Sequence, residues 1–211
     1  MASRDAGSTC LLCKSKYSGA GMTRHLQSCL PKSLQKQQKS KSQAFYHILV
    51  RGYYLSGYWL HLKVAANARL KDLDSFLRRI WLECCGHMSA FSYNRSELEM
   101  RQKLKDVLSP RMELLYEYDF GSTTELLIKV IGQYKGSIEE DVQVIARNAP
   151  PEILCDECGK SPAVQICTEC QWDGTGWLCQ ACAEDHECGE DMMLPVVNSP
   201  RAGVCGYTGE D

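Results

Sequence analysis

"FYHILVRGYYLSGYWLHLKV", residues 45–64, holds two apolar runs separated by a six-residue stretch that begins and ends with glycine. In the second run Tyr58, Leu60, Leu62 and Val64 alternate with Trp59, His61 and Lys63, the period of two that marks a half-buried strand. "FYHILVR" (45–51) reads as its partner in a hairpin turned between Gly52 and Gly57. From Leu70 the spacing becomes helical, with Leu73, Phe76, Leu77, Ile80, Trp81 and Cys84 on one face, Asp72 and Asp74 near the start, and Gly86 placed to end the helix. Ser96-x-x-Glu99 has the form of a capping box and predicts a second helix through Met100, Leu104, Val107 and Leu108 to Pro110. "MELLYEYDF" and "TTELLIKVIG" then alternate as strands around Gly121-Ser122, and "DVQVIAR" (141–147) supplies a last one. The expectation is an α+β fold: a central mixed sheet with two helices, of β-grasp type.

Flanking this domain the composition changes. The stretch 31–43, "PKSLQKQQKSKSQ", is basic and lacks periodicity, which predicts a linker; Asn148-Ala149-Pro150-Pro151 marks a second boundary. The expected organisation is therefore a small module over 1–30, a linker over 31–43, the α+β domain over 44–148, and a cysteine-rich module with its tail over 149–211. Charge follows the same division. Residues 1–43 carry eight Lys or Arg against Asp5 alone, whereas 149–211 carry two against twelve acidic residues, within a chain of net charge −2. A basic arm and an acidic tail are the natural reading, with solvated surface as the plainer one. No apolar run follows the charges of "MASRDAGSTC", and no run of eighteen apolar residues occurs, so neither a secretory signal nor a membrane span is expected. A reducing cytoplasm is the expected setting for thirteen cysteines.

The cysteines cluster. Between Cys155 and Cys188 the donors are Cys155, Cys158, Cys167, Cys170, Cys179, Cys182, His186 and Cys188, at intervals x2, x8, x2, x8, x2, x3, x1. Eight donors fill two four-coordinate zinc shells and leave no position for a catalytic water. Interleaved pairing groups Cys155, Cys158, Cys179 and Cys182 around one ion and Cys167, Cys170, His186 and Cys188 around the other; sequential pairing divides the first four from the last four. Interleaving ties the segment into one unit, whereas the sequential scheme crowds one ion's donors into ten residues. The acidic side chains here, Asp173, Glu184, Asp185, Glu187, Glu190 and Asp191, would repel phosphates. Trp172 and Trp177 offer an aromatic contact or packing over the knuckles. Cys205 has no second donor nearby and reads as a free thiol.

Near the N-terminus Cys10-x2-Cys13-x11-His25-x3-Cys29 offers a third zinc shell. It resembles a ββα zinc finger in its Cys2HisCys form, with Tyr17 at the aromatic core position and Met22 at the apolar helix position. The interval from knuckle to histidine is one residue shorter than in that family. Three structural zinc ions are thus expected. Thr23, Arg24 and Gln27 are placed to face a nucleic-acid groove, and the lysines of residues 10–41 to neutralise phosphates, although one finger spans only about 3 bp. The C-terminal donor pattern resembles B-box and related treble-clef modules, whose usual work is contact with proteins.

"LKDLDSFLRRIWLECCGHMSAF" (70–91) followed by "YEYDFGSTTELLIKV" (116–130) resembles the plasmid pRiA4b ORF-three-like family. The resemblance covers roughly 44–147 and falls on His87, Phe91, Tyr118, Asp119, Phe120 and Gly121. Ser122 departs from the pattern where an acidic residue is common, and Glu125 stands roughly where a histidine often occurs. The family implies a fold more than an activity. From the residues, a catalytic role would fall to His87 and Asp119 with Cys85 as thiol; the plainer reading packs Cys84 in the core, leaves Cys85 an ordinary thiol and makes His87–Asp119 a structural contact. The expected function is non-enzymatic recognition: a zinc-binding adaptor for a protein partner, with nucleic acid touched through residues 10–41 and no membrane. The alternative is an enzyme centred on His87 and Asp119.

Overall fold

The computed structural model describes residues 8–35 and 42–209. Elements follow in the order β1 (Ser8–Thr9), β2 (Lys16–Tyr17), α1 (Gly19–Gln35), β3 (Gln43–Gly52), β4 (Trp59–Ala65), α2 (Leu70–Leu77), β5 (Ser89–Tyr93), β6 (Ser96–Leu98), α3 (Leu104–Val107), β7 (Glu113–Tyr118), β8 (Thr124–Gly136), β9 (Val142–Arg147), β10 (Gln165–Cys167), β11 (Trp177–Leu178), α4 (Gln180–Glu184) and β12 (Met193–Pro195). A π-helical turn, Arg78–Leu82, continues α2. The protein is α+β, with one large sheet and few helices.

The quoted stretch forms the expected hairpin, with Phe45 opposite Ala65 and Arg51 opposite Trp59. It lies within a seven-stranded sheet of order β6-β5-β7-β8-β3-β4-β9. Every pairing in it is antiparallel, so the expected mixed sheet is corrected: the β3-β4, β5-β6 and β7-β8 connections join neighbouring strands, and those from β4 to β5 and from β8 to β9 pass over intervening strands without setting any neighbours parallel. The second predicted helix is also corrected. Asn94 and Arg95 both adopt left-handed backbone (φ 50° and 65°), as a two-residue hairpin turn requires, and this folds Ser96–Leu98 back onto Phe91–Tyr93 as β6. Only the single turn of α3 remains helical in that region.

One face of the sheet carries Tyr46, Ile48, Val50, Leu60, Leu62 and Val64 and shares a buried cluster with Leu70, Leu73, Leu77 and Trp81 of α2 and its extension. The half-buried strand expected at 58–64 is buried along its whole length, because α1 covers the other face. Met22, Leu26 and Leu30 of α1 belong to the central core, Thr23 hydrogen-bonds His61, and Leu11 N–H donates to the Ile145 carbonyl of β9. The N-terminal module is therefore part of the main body. Residues 31–35 of the expected linker are the last turns of α1 despite Pro31 within it; Leu34, packed beside Gly136, helps offset the helix bond that proline removes. Residues 36–41 of that stretch lie outside the described residues, and Gln43, its last residue, already belongs to β3.

Under α1 two buried histidines meet: His47 Nε2 lies 3.0 Å from His61 Nδ1. Burial lowers His47 to about 4, and burial with the nearby His47 lowers His61 to about 3. His47 Nδ1 has no hydrogen-bond partner among the described residues, so a proton added there would be buried unpaired. The sign follows from linkage. Below pH 6.5 the unfolded chain takes up protons that the native pair refuses, so stability falls as pH drops from about 6.5 toward 4. Each ring contributes a slope of up to about 1.4 kcal/mol per pH unit. Denaturant midpoints between pH 7 and 5 should show this slope in the wild type and a shallower one in His61→Gln; equal slopes would refute the assignment.

Candidate metal centres

A two-residue knuckle places two thiols on one side of a tight turn and leaves backbone N–H groups pointing at them. After β1 the chain turns at Cys10–Lys14, where Lys14 N–H donates to the Cys10 carbonyl and Lys14 itself is left-handed (φ 65°). The Ser15 backbone N–H is the largest influence lowering the Cys13 thiol to about 6, while burial raises Cys29 to about 12. His25 and Cys29, one turn apart on α1, complete the group: Cys10 Sγ lies 4.0 Å from Cys29 Sγ and Cys13 Sγ 3.3 Å from His25 Nε2. Tyr17 stacks on the His25 ring at 4.0 Å and fixes its plane.

In the C-terminal module β10 is flanked by β11 and β12, all antiparallel. Its small core is made of Leu178 with Cys155, Cys167 and Cys179, so thiols occupy positions where a larger domain would place aliphatic side chains. Asp156 carboxylate accepts from Trp177 N–H at 2.8 Å and locks the first knuckle to β11. Burial opposes ionisation of Cys155, but the N–H groups of Cys158, Cys179 and Glu157 outweigh it and bring the thiol to about 6. The donors group in the interleaved way: Cys155, Cys158, Cys179 and Cys182 in one cluster, Cys167, Cys170, His186 and Cys188 in the other. Cys170 Sγ lies 3.4 Å from His186 Nε2 and 3.6 Å from Cys188 Sγ. Trp177 is half-buried in β11, whereas Trp172 is 72% exposed.

All twelve residues expected as ligands thus fall into three clusters, and the structure adds a fourth made of Cys84, Cys85, His87 and Cys205. In each of the four, the ligand atoms lie within 4.8 Å of one another. All thirteen cysteines are free thiols. The expected count of three is therefore corrected to four clusters suited to a metal. Cys205 does have neighbouring donors, which its position in the sequence hides.

The candidate catalytic residues belong to this fourth group. His87 Nδ1 faces Asp119 Oδ1 at 3.5 Å, as the sequence suggested. The carboxylate is enclosed, however, and bound at 2.7 Å by Arg201, a residue that sequence reading did not single out. The Arg201 guanidinium, with backbone N–H groups of Gly121 and Ser122, holds the Asp119 carboxyl down at about 2. A carboxylate so held is a fixed anion rather than a proton shuttle at neutral pH. Cys85 Sγ lies 3.0 Å from His87 Nε2. A cavity of about 660 Å³ opens elsewhere, between α1, the Tyr54–Trp59 hairpin tip and Trp177.

No helix among the described residues is long and apolar enough to cross a membrane. No known protein family's sequence profile matches the chain, and no curated protein matches it. Among solved structures, a protein of unknown function from Methanosarcina mazei is similar over 49% of this chain and 67% of its own, with a TM-score of 0.43 and 16% identity.

Proposed function

We propose that the chain is a zinc-binding, non-enzymatic recognition protein, an adaptor whose ions are structural. The observation that carries this reading is closure: each cluster supplies four ligand atoms within 4.8 Å of one another, which fills a tetrahedral shell and leaves no site for a reacting water. Thiolate-rich sets with imidazole select zinc over hard cations. The central domain is proposed as a pRiA4b ORF-three-like domain, and the reduced thiols suit a cytoplasmic setting.

Recognition would use what the sites hold in place. Tyr54 at the hairpin tip is 80% exposed, next to half-exposed Tyr53 and Leu55, and Tyr54 and Leu55 flank the cavity against α1 and Trp177. Aromatic side chains on a rim of this kind favour a protein partner. Of the residues considered for nucleic acid, Thr23 is engaged by His61, while Arg24 and Gln27 are exposed, as are Lys14, Lys16 and Lys32. A short phosphate contact through these remains part of the proposal.

The test compares zinc-loaded wild type with Tyr54→Ser and with Arg24→Ala. Partner capture should fall at least tenfold in Tyr54→Ser with its metal content unchanged. Binding of mixed DNA and RNA, if it occurs, should be salt-sensitive and weaken in Arg24→Ala. A protein that carries its zinc but captures neither class would sink the adaptor reading.

A further inference from the structure

We propose that Cys84, Cys85, His87 and Cys205 form a fourth zinc site, which clasps the C-terminal segment onto the central sheet, with Asp119 as the positioning residue for its histidine. This rests on the same structural-zinc reading but concerns residues that no cysteine knuckle predicts. The donors come from two distant places in the chain. Cys84, Cys85 and His87 lie where the π-helical turn after α2 runs into β5, and Cys205 lies in a tight left-handed turn (φ 52°) more than a hundred residues later.

The spacing is that of a coordination shell. With Zn–S near 2.3 Å and Zn–N near 2.0–2.1 Å, tetrahedral angles place two sulfurs about 3.8 Å apart and a sulfur about 3.6 Å from a nitrogen. Cys85 Sγ lies 3.7 Å from both Cys84 Sγ and Cys205 Sγ. His87 Nε2 lies 3.0 Å from Cys85 Sγ and 3.2 Å from Cys205 Sγ. A disulfide would require about 2.05 Å. The two sulfur–sulfur separations fall in the 3.6–4.0 Å range found in the three knuckle-built clusters, and the sulfur–nitrogen ones lie slightly below the 3.3 and 3.4 Å found there.

The surroundings fit as well. A metal-bound histidine usually directs its other ring nitrogen to a carboxylate or carbonyl, which fixes the tautomer. Here Nε2 points into the sulfur group and Nδ1 faces Asp119 Oδ1 at 3.5 Å. The other oxygen of Asp119 is held by Arg201, whose guanidinium also donates to Cys84 Sγ at 3.6 Å. That guanidinium offsets part of the negative charge three thiolates bring to one zinc. Arg201 stands four residues before Cys205, so ligand and outer support arrive on the same segment.

Total metal on the purified full-length chain, measured by mass spectrometry alongside thiol titration, tests the site. Wild type should bind four zinc ions, and Cys205→Ser and Cys85→Ser should each bind three while retaining the other clusters. Asp119→Asn should lose its fourth ion to a competing chelator 10–100-fold more readily, with the other three unchanged; a merely structural role would loosen all four alike or none. Three ions in wild type, unchanged in Cys205→Ser, would overturn this site and leave the knuckle sites standing. No bound zinc at all would overturn both. A Cys85–Cys205 disulfide in freshly purified, non-reduced protein would also overturn it.

Discussion

Treating the protein with a strong chelator should unfold the C-terminal module completely while leaving the central sheet native. The module spends its best-protected positions on Cys155, Cys167 and Cys179, and among its described residues the large buried aliphatic side chains are Leu178, packed with these thiols, and Ile166 of β10. So small an apolar core cannot by itself offset the conformational entropy of ordering the module. Structural zinc adds folding free energy that such a segment cannot obtain from burial, so its removal takes away the main stabilising contribution. The N-terminal module should respond differently. Its knuckle would loosen, but Met22, Leu26 and Leu30 sit in the central core, so α1 should persist. Amide exchange followed with and without chelator should therefore show residues 155–195 exchanging freely, residues 10–17 partly, and β3, β4 and β8 unchanged. If the module kept its protection without metal, its thiol core would have to be stabilised by something other than coordination.

How far the sequence could be read follows from where the stabilising contacts lie. Strands β7 and β8 and helix α2 bury residues at a regular local period, and period is what a sequence displays. Ser96-x-x-Glu99 misleads because a capping box is only a local option; the preceding Asn94-Arg95 turn gives the same residues a strand partner in Phe91–Tyr93. Full burial of Trp59, His61 and Lys63 cannot be seen from β4 itself, since the cover is α1, far away in sequence. The knuckle-built clusters are legible because each CxxC places two donors together by covalent geometry. The fourth cluster brings Cys205 to a Cys-Cys-x-His group across the sheet, and only tertiary structure makes that juxtaposition. Cys84-Cys85-x-His87 carries a signal, three donors in four residues, but alone it points first to a packed and an ordinary thiol, with a nucleophile as the lesser alternative.

Arg201→Met should destabilise the protein by about 3–5 kcal/mol, the usual cost of removing one partner from an enclosed ion pair. The arginine is 0% exposed, unusual for its type, and its terminal nitrogens reach Asp119 Oδ2 at 2.7 Å, Thr124 Oγ1 at 3.0 Å and the Ser122 carbonyl at 3.1 Å. Its plane also lies over the Tyr118 ring, 4.8 Å from the centroid. Methionine fills much of the volume but leaves the Asp119 carboxylate and the Ser122 carbonyl without their donor. Arg201→Lys should recover little, because an ammonium cannot span three acceptors in one plane. In Arg201→Met/Asp119→Asn the uncompensated charge is gone, so the double variant should be more stable than Arg201→Met alone. Chemical denaturation of the zinc-loaded proteins decides the matter: equal stability of the double and single variants would mean that the arginine works by packing on Tyr118 rather than by holding the carboxylate. The sheet's central strands should keep their order in every variant, since the Ile48, Leu62 and Ile128 core does not depend on this corner. The segment around Cys205 should loosen in Arg201→Met without being released, because Ser199, whose hydroxyl donates to the Trp81 carbonyl at 2.6 Å, and Asn198, bound to Arg147 and Asn148, still seat it against the sheet.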